Sequence, residues 1–272
     1  MTIDGIDFFA VYDHHMRREG YAPKPSSAWD ERAPGYGQQG ALSRYVEDFI
    51  DRLDLAGAST LLDVGCGPGT LALPLSARLQ RITAIDYSPG MLAALRERAT
   101  AASVTNVDTL LRSWGDDWPD VPVCDIAIAS RSLTATDLRD ALGKLSSHAR
   151  LRACLTYLVG GSFVDREILE LAGAPGRRIP DHVIVVGALR QLGFHPRVDY
   201  IDTPARFAGT TDFSEFARRL SWHTGPLDDA ALARLRHWYE ADPARAKAGG
   251  RPVRWAFISW ECAETKGARR RA

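Results

Sequence analysis

The chain has 272 residues, with 34 basic and 34 acidic side chains and an apolar content of 45%. This length allows one α/β domain with a substantial core, or such a domain with a small appendage. The chain has no broad basic field for a phosphate backbone, no run long enough to span a membrane, and no cationic region ahead of an apolar one at its start. We therefore expect a cytoplasmic protein with no nucleic-acid or membrane partner.

The four cysteines give no sign of a metal site. They are far apart in sequence, without the close spacing of a metal knuckle, and most lie in apolar runs. We expect buried free thiols and no bound metal at Cys66, Cys124, Cys154 and Cys262.

The first forty residues differ from the rest and are predicted to form a lid segment, residues 1–40. Residues 6–19 can form an amphipathic helix, which two prolines then interrupt. The stretch WDERAPGY follows at 29–36, with Trp29, Arg32 and Tyr36 near helical spacing. Such segments over a rigid scaffold commonly determine specificity.

Residues 41–265 are predicted to form the main domain, in which strands and helices alternate. A helix at 42–53 precedes five strands at 60–64, 81–86, 107–111, 124–130 and 151–159. Two further strands are predicted at 194–202 and 254–262, separated by a helical insertion or cap over residues 204–250. The basic end, residues 266–272, is expected to be a disordered tail.

The most informative run is LLDVGCGPGT, residues 61–70. Asp63 lies at the end of a buried strand, and Gly65, Gly67 and Gly69 follow before Thr70 begins a helix-periodic apolar segment. Glycines let the backbone turn tightly and approach a ligand closely. Their G-x-G-x-G spacing differs from the dinucleotide fingerprint G-x-G-x-x-G, and a carboxylate favours a ligand with a cationic amine over a pyrophosphate.

A second acid falls where the next strand of a βαβ unit would end. Asp86 follows Gly69 by seventeen residues, and a carboxylate there can accept both hydroxyls of a ribose. Ser88 and Pro89 then provide an N-cap and a proline at the first helical position, and Met91 begins the apolar stripe of that helix.

Together, DVGCGPGT and IDYSPGML resemble motifs of the class I S-adenosylmethionine-dependent methyltransferases, from about residue 41 to 158. The resemblance implies a Rossmann-like seven-stranded mixed sheet flanked by helices, with the last strand antiparallel beside strand five. It also implies S-adenosyl-L-methionine as the cofactor and strand ends as its binding site. The residues expected to bind the cofactor there are Asp63, Gly65, Cys66, Gly67, Gly69, Asp86, Tyr87, Met91 and Ser130.

Two further cofactor contacts are expected from the resemblance. In similar enzymes the end of strand three contacts the adenine, and the register here suggests Ser113 and Trp114, which departs from the usual acid. Trp114 could stack on the ring or belong to the core. A W-x-x-R-A element before the domain commonly binds the cofactor carboxylate, which makes Arg32 a candidate beside its alternative as a surface arginine.

Methyl transfer requires little of the protein beyond in-line alignment, because a sulfonium is already activated. If the acceptor must lose a proton, Tyr12, His15 and His223 are possible bases, although a structural or solvent-exposed role is favoured for each of them. Trp29, Tyr36, Arg131 and Trp222 could line an acceptor pocket, or the aromatics could pack the core.

The expected acceptor is a small molecule. Strand four ends in ASRS rather than the N/D-P-P-Y/F sequence that cradles a flipped base, and the lid and cap would enclose a pocket. The alternative is a non-catalytic, cofactor-binding regulatory protein of the same fold; a nicotinamide oxidoreductase is disfavoured by the glycine spacing and Asp63. These motifs fix neither the atom methylated nor the oligomeric state.

Overall fold

The computed structural model describes residues 5–35, 43–133, 135–174 and 178–263. Its seven strands are, along the chain, β1 (Thr60–Val64), β2 (Arg81–Asp86), β3 (Val107–Leu111), β4 (Cys124–Ser130), β5 (Ala149–Leu158), β6 (Arg197–Thr203) and β7 (Val253–Glu261).

These strands form one sheet with the order β3-β2-β1-β4-β5-β7-β6. The pairs from β3 across to β5 are parallel, whereas β7 is antiparallel to both β5 and β6. This confirms the predicted Rossmann-like mixed sheet, including the antiparallel last strand. The strand order reverses between β1 and β4, and in open α/β sheets ligands bind at such a switch point.

The central strands form because their residues are apolar on both faces of the sheet. In β4, Ile126, Ala127 and Ile128 have no exposed surface, as a parallel strand covered by helices on both sides requires. The bounds of β1 to β4 agree with the prediction, whereas β6 begins three residues later than the pattern indicated, at Arg197.

Helices cover both faces of this sheet. In the described residues they are α1 (Phe8–Arg18), α2 (Ser26–Asp30), α3 (Arg44–Arg52), α4 (Ala72–Leu75), α5 (Pro89–Ala101), α6 (Leu138–Ser147), α7 (Arg166–Leu171), α8 (His182–Gln191), α9 (Phe213–Thr224), α10 (Asp229–Ala241) and α11 (Pro243–Ala248). In the described chain no helix has the length and apolarity needed to cross a bilayer.

The lid and the cap are both helical. Helices α1 and α2 belong to the predicted lid, and α9 to α11 to the predicted cap between β6 and β7. Buried aromatic side chains of the cap, among them Phe207, Phe216 and Trp238, form a hydrophobic cluster of its own. The predicted tail at 266–272 lies outside the described residues.

The helix after the glycine loop is shorter than its apolar pattern indicated. Helix α4 has four residues and continues only as a 3₁₀ turn, Ser76–Arg78. The Ser76 hydroxyl donates a hydrogen bond of 2.7 Å to the Leu73 carbonyl oxygen. Such local bonds from serine compete with the α-helical ladder, which explains the early end.

Candidate active site

A cleft opens at the carboxyl ends of the parallel strands. It lies at the switch point between β1 and β4, where the fold class places ligands. The residues that line it come from the glycine loop, the strand ends and the lid: Trp29, Asp63, Val64, Gly65, Cys66, Gly67, Pro68, Thr70, Leu71, Asp86, Tyr87, Met91, Arg112, Ser113, Trp114, Ser130, Arg131 and Ser132.

Each glycine of the loop has a positive φ, but their surroundings differ. A Cβ on Gly65 (φ +69°) would lie 2.3 Å from the Ser132 Cβ, and one on Gly69 (φ +80°) 2.9 Å from Leu73. At Gly67 (φ +53°) a Cβ would meet nothing within 4 Å. Gly65 and Gly69 therefore allow close packing, whereas Gly67 presents bare backbone to the cleft.

Asp86 holds the glycine loop to the end of β2. Its Oδ2 accepts a hydrogen bond of 2.9 Å from the Gly67 amide, and its Oδ1 accepts one of 2.9 Å from the Ser88 amide. Burial raises the pKa of Asp86, and these backbone bonds oppose that change. The sequence-predicted acid thus lies beside the glycine loop, facing the cleft.

Asp63 is the second carboxylate of the cleft and is 2% exposed. Its Oδ2 has no hydrogen-bond partner among the described residues. Burial, with a smaller contribution from the charge of Asp86, raises the pKa of Asp63 to about 7. A buried, unsatisfied carboxylate oxygen is costly, so it indicates a ligand group that donates hydrogen bonds or carries positive charge.

Most of the other predicted cofactor residues also border the cleft, namely Cys66, Tyr87, Met91, Ser113, Trp114 and Ser130. Trp114 borders the cleft and also packs against the core. It lines the cleft and packs on Trp118 with ring centroids 5.5 Å apart, while its Nε1 donates to the Ser132 carbonyl at 2.8 Å. This bond fixes the ring against the β4 end.

Arg32 does not line the cleft. Its guanidinium lies over the ring of Trp222, with 4.2 Å from Cζ to the ring centroid. Trp222 likewise lies behind the cleft, at 5.8 Å from Trp29 in an edge-to-face contact. The short α2 and the 3₁₀ turn Ala33–Gly35 direct Trp29 into the cleft and Arg32 toward the cap.

Of the two remaining acceptor-pocket candidates, Arg131 and Tyr36, the structure describes only Arg131. Arg131 lines the cleft from the end of β4. Tyr36 lies outside the described residues.

Two of the three possible bases, Tyr12 and His15, are not among the residues that line the cleft. Tyr12 is fully buried on α1, where its hydroxyl donates to the Ala135 carbonyl at 2.8 Å, and burial raises its pKa. The ring of His15 contacts the Arg178 carbonyl, with 2.7 Å from Nε2 to the oxygen. Both side chains join the lid to the domain, so neither is positioned as a base.

His223 is enclosed in the cap rather than exposed to the cleft. Its ring lies 5.9 Å from Phe163, and its Nε2 accepts a hydrogen bond of 3.0 Å from Arg206. Burial, with the positive charges of Arg206 and three other cations, lowers the pKa of His223 to about 3. A histidine with so low a pKa does not retain a proton at neutral pH, so it is a poor general base.

Sequence reasoning missed a hydroxyl network at the end of β4. The Tyr45 hydroxyl of α3 lies 2.7 Å from both Ser130 Oγ and Thr156 Oγ1. The Thr156 oxygen also accepts a hydrogen bond of 3.0 Å from the Arg131 amide. Tyr45 fits the apolar stripe of α3, so nothing in its spacing distinguishes it from a core residue.

A second missed contact ties the lid to the cofactor side of the cleft. Asp30 Oδ1 accepts hydrogen bonds from Ser88 Oγ at 2.6 Å and from the Gly90 amide at 2.8 Å. The lid is also bound through Tyr87, whose hydroxyl donates to the Lys24 carbonyl at 2.9 Å. Asp30 lies within the W-x-x-R-A element, which was the available signal.

Residues 61–151 match the family described as "Methyltransferase domain". An uncharacterized protein of Haemophilus influenzae is 28% identical over 96% of this chain and 98% of its own length. Trans-aconitate 2-methyltransferase of Paracidovorax citrulli is 34% identical over 67% of this chain and 66% of its own length.

Solved structures share the fold at low sequence identity. The YcgJ protein of Bacillus subtilis has a TM-score of 0.55 at 17% identity, over 80% of this chain and 95% of that one. Geranyl diphosphate C-methyltransferase of Streptomyces coelicolor, solved with S-adenosyl-L-homocysteine, has a TM-score of 0.53 at 16% identity. The match covers 90% of this chain and 87% of that one. The motifs, the sheet and these relatives agree: the chain belongs to the class I S-adenosylmethionine-dependent methyltransferases, and its cofactor is S-adenosyl-L-methionine.

Proposed function

We propose that this methyltransferase transfers the methyl group in line to a small-molecule acceptor in the cleft between the sheet and the lid. The observation that supports this most directly is the position of Trp29. This lid residue lines the same cleft as the glycine loop, so the lid closes over the strand ends. An enclosed cleft suits a small acceptor better than a protein surface.

The cleft residues fit the cofactor. Asp63 offers a buried carboxylate oxygen without a partner, Asp86 lies at the end of β2, and Gly67 exposes backbone that a side chain would cover. Asp63 would receive the ammonium group, Asp86 the ribose hydroxyls, and Ser113 with Trp114 would border the adenine. When bound, S-adenosylmethionine supplies a methyl group that its sulfonium already activates.

The chain's own contribution would be alignment and exclusion of water. The hydroxyl network of Tyr45, Ser130 and Thr156 fixes the end of β4, and Arg131 projects from it into the cleft. Effective alignment alone can supply much of the rate of such a transfer. His223 is a poor candidate for a base, which favours an acceptor atom that needs no deprotonation by it.

The relatives support a small acceptor. The Paracidovorax citrulli relative, and shorter matches in Mycobacterium ulcerans and Rhodococcus jostii, are trans-aconitate 2-methyltransferases. A small organic acid is therefore a reasonable first acceptor to test on this chain.

The acceptor class can be tested without knowing the acceptor. The purified protein is incubated with methyl-labelled S-adenosylmethionine and a bacterial extract separated by ultrafiltration into small molecules and macromolecules. We expect a labelled small molecule that chromatography separates from S-adenosylmethionine, and no such product with an Asp86→Ala variant. Label in protein or nucleic acid would contradict the proposal. Cofactor binding without transfer to either fraction would favour the non-catalytic alternative.

A further inference from the structure

Arg131 has a backbone conformation that arginine rarely adopts. Its φ is +57°, in the left-handed region, which costs a residue with a Cβ about 1 kcal/mol or more. The conformation is held by the hydrogen bond from its amide to Thr156 Oγ1, an atom that also contacts the Tyr45 hydroxyl. Strain that the surrounding structure maintains at the edge of a cleft points to a function for this side chain.

The charge of Arg131 is not neutralised within the described structure. Two arginines line the cleft, and Arg112 is paired with Asp120 at 2.6 Å. Arg131 forms no ion pair with any carboxylate in the part of the chain described. Its guanidinium rests instead on two aromatic rings, 4.1 Å from the centroid of Tyr45 and 5.9 Å from that of Trp255. Stacking on rings orients the planar fork while leaving its edge available for a ligand.

Further cationic side chains lie in the lid and the cap. The ring centroids of Trp255 and Phe163 lie 5.4 Å apart, and those of Phe163 and His223 lie 5.9 Å apart. Phe163 therefore connects His223 to the aromatic rings on which Arg131 rests. The charges that act most strongly on His223 are all cationic: those of Arg206, Lys24, Arg32 and Arg219. The two acids that line the cleft, Asp63 and Asp86, are on the glycine-loop side.

The cleft lining thus carries the carboxylates of Asp63 and Asp86 on the glycine-loop side and, at the end of β4, the guanidinium of Arg131, which has no ion pair among the described residues. We propose that the acceptor carries an oxyanion group, a carboxylate or a phosphate, and that Arg131 binds it. A guanidinium fork matches either group with two parallel hydrogen bonds. This inference rests on the proposed function, and it adds the charge of the acceptor and the residue that binds it.

Calorimetry with defined probes tests the charge. Protein saturated with S-adenosylhomocysteine, which occupies the cofactor's own carboxylate site, is titrated with citrate, inorganic phosphate and the neutral ester triethyl citrate. We expect citrate or phosphate to bind, and the better of the two identifies the oxyanion. Added salt should weaken that binding. Equal affinity for triethyl citrate, or no binding of either anion, would overturn the inference.

Variants test the residue. Arg131→Asn removes the cation but keeps a residue that tolerates the left-handed region, and should weaken anion binding at least tenfold. Arg131→Lys should retain part of it. Arg254→Gln, which removes an exposed arginine paired with Asp202, is the matched control and should change nothing. Anion binding by Arg131→Asn equal to that of the parent would contradict the assignment.

A second readout separates this inference from the proposed function. The small-molecule extract that accepts label is passed over an anion-exchange resin, which should remove the acceptor activity. If the activity passes through the resin, the acceptor is small but not anionic, and only the inference fails. If the parent protein does not bind S-adenosylhomocysteine, the proposed function fails and the inference with it.

Discussion

Two buried carboxylates with different roles face the cleft. Asp86 is satisfied by the amides of Gly67 and Ser88, whereas Asp63 retains an oxygen without a described partner. Asp86 therefore fixes the loop and has lone pairs left to accept hydrogen bonds from a ligand. Asp63 has a carboxylate oxygen available to a cationic group. This difference cannot be read from the sequence, in which both acids end a strand.

The raised pKa of Asp63 predicts how cofactor affinity depends on pH. Below about 7 this carboxyl is mostly protonated in the ligand-free protein, and an ammonium group binds the ionised form. Affinity for S-adenosylhomocysteine should rise more than tenfold between pH 5.5 and 7, since ionisation increases about tenfold per pH unit below the pKa. Calorimetry at several pH values checks this. An Asp63→Asn variant should bind S-adenosylhomocysteine weakly, and its affinity should change less with pH. If the affinity of the parent changed as little with pH as that of the variant, Asp63 would not bind the ammonium group.

The same group predicts a pH dependence of stability. An acid whose pKa is higher in the folded than in the unfolded state stabilises the protein most at low pH. That stabilisation is complete below about pH 4, the ordinary pKa of an aspartic acid, and is lost as the pH rises through about 7, the pKa in the folded protein. Relative to the parent, Asp63→Asn should gain roughly 2–4 kcal/mol in free energy of unfolding between pH 4 and 8. Urea denaturation of ligand-free protein measures it, and a pH-independent difference would refute the account.

At the scale of elements, the glycine loop shows how one motif serves two purposes. Its first and third glycines permit contact with Ser132 and Leu73, while the middle one leaves the cleft open. The G-x-G-x-G spacing predicted the turn and the approach of a ligand. It could not show which glycine faces the ligand, because that depends on neighbours such as Ser132, which follows β4, and Leu73 of α4.

A pair of glycine variants separates these effects. Gly67→Val and Gly193→Val place a branched side chain at positive φ (+53° and +87°), and neither Cβ meets an atom within 4 Å. Both should lose a similar free energy of unfolding, about 1–3 kcal/mol. Only Gly67→Val should abolish binding of S-adenosylhomocysteine in calorimetry, because Gly193 follows α8, away from the cleft lining. Equal cofactor binding by the two variants would exclude Gly67 from the site.

The lid predicts a second effect at this scale. Asp30 accepts two hydrogen bonds from the start of α5, and Asp30→Ala leaves the Ser88 hydroxyl and the Gly90 amide without their acceptor. We expect the lid to open more often and limited proteolysis within residues 19–35 to accelerate several-fold. Asp13→Ala, at a half-buried position of α1, is the comparison variant and should be cut like the parent. An unchanged cleavage rate in Asp30→Ala would show that these bonds do not hold the lid.

At the scale of the whole molecule, alternation of strand and helix patterns was enough to predict seven strands, and the family resemblance predicted their arrangement in one mixed sheet. Strands such as β4 are apolar throughout, so their bounds agree with the sequence pattern. Long-range contacts could not be predicted in this way. Tyr45 looks like a core residue of α3, yet it supports the β4 end, and Arg32 matches a cofactor motif, yet it stacks on Trp222 of the cap.

The central claim is that this cleft binds the cofactor through the carboxylates at the ends of β1 and β2. Calorimetric titration of the parent and of Asp86→Ala with S-adenosylhomocysteine tests it most directly, with NADH as the comparison ligand and circular dichroism to establish folding. We predict binding of S-adenosylhomocysteine by the parent, at least tenfold weaker binding by Asp86→Ala, and no binding of NADH. Equal affinity in a folded Asp86→Ala variant would contradict the placement of the cofactor.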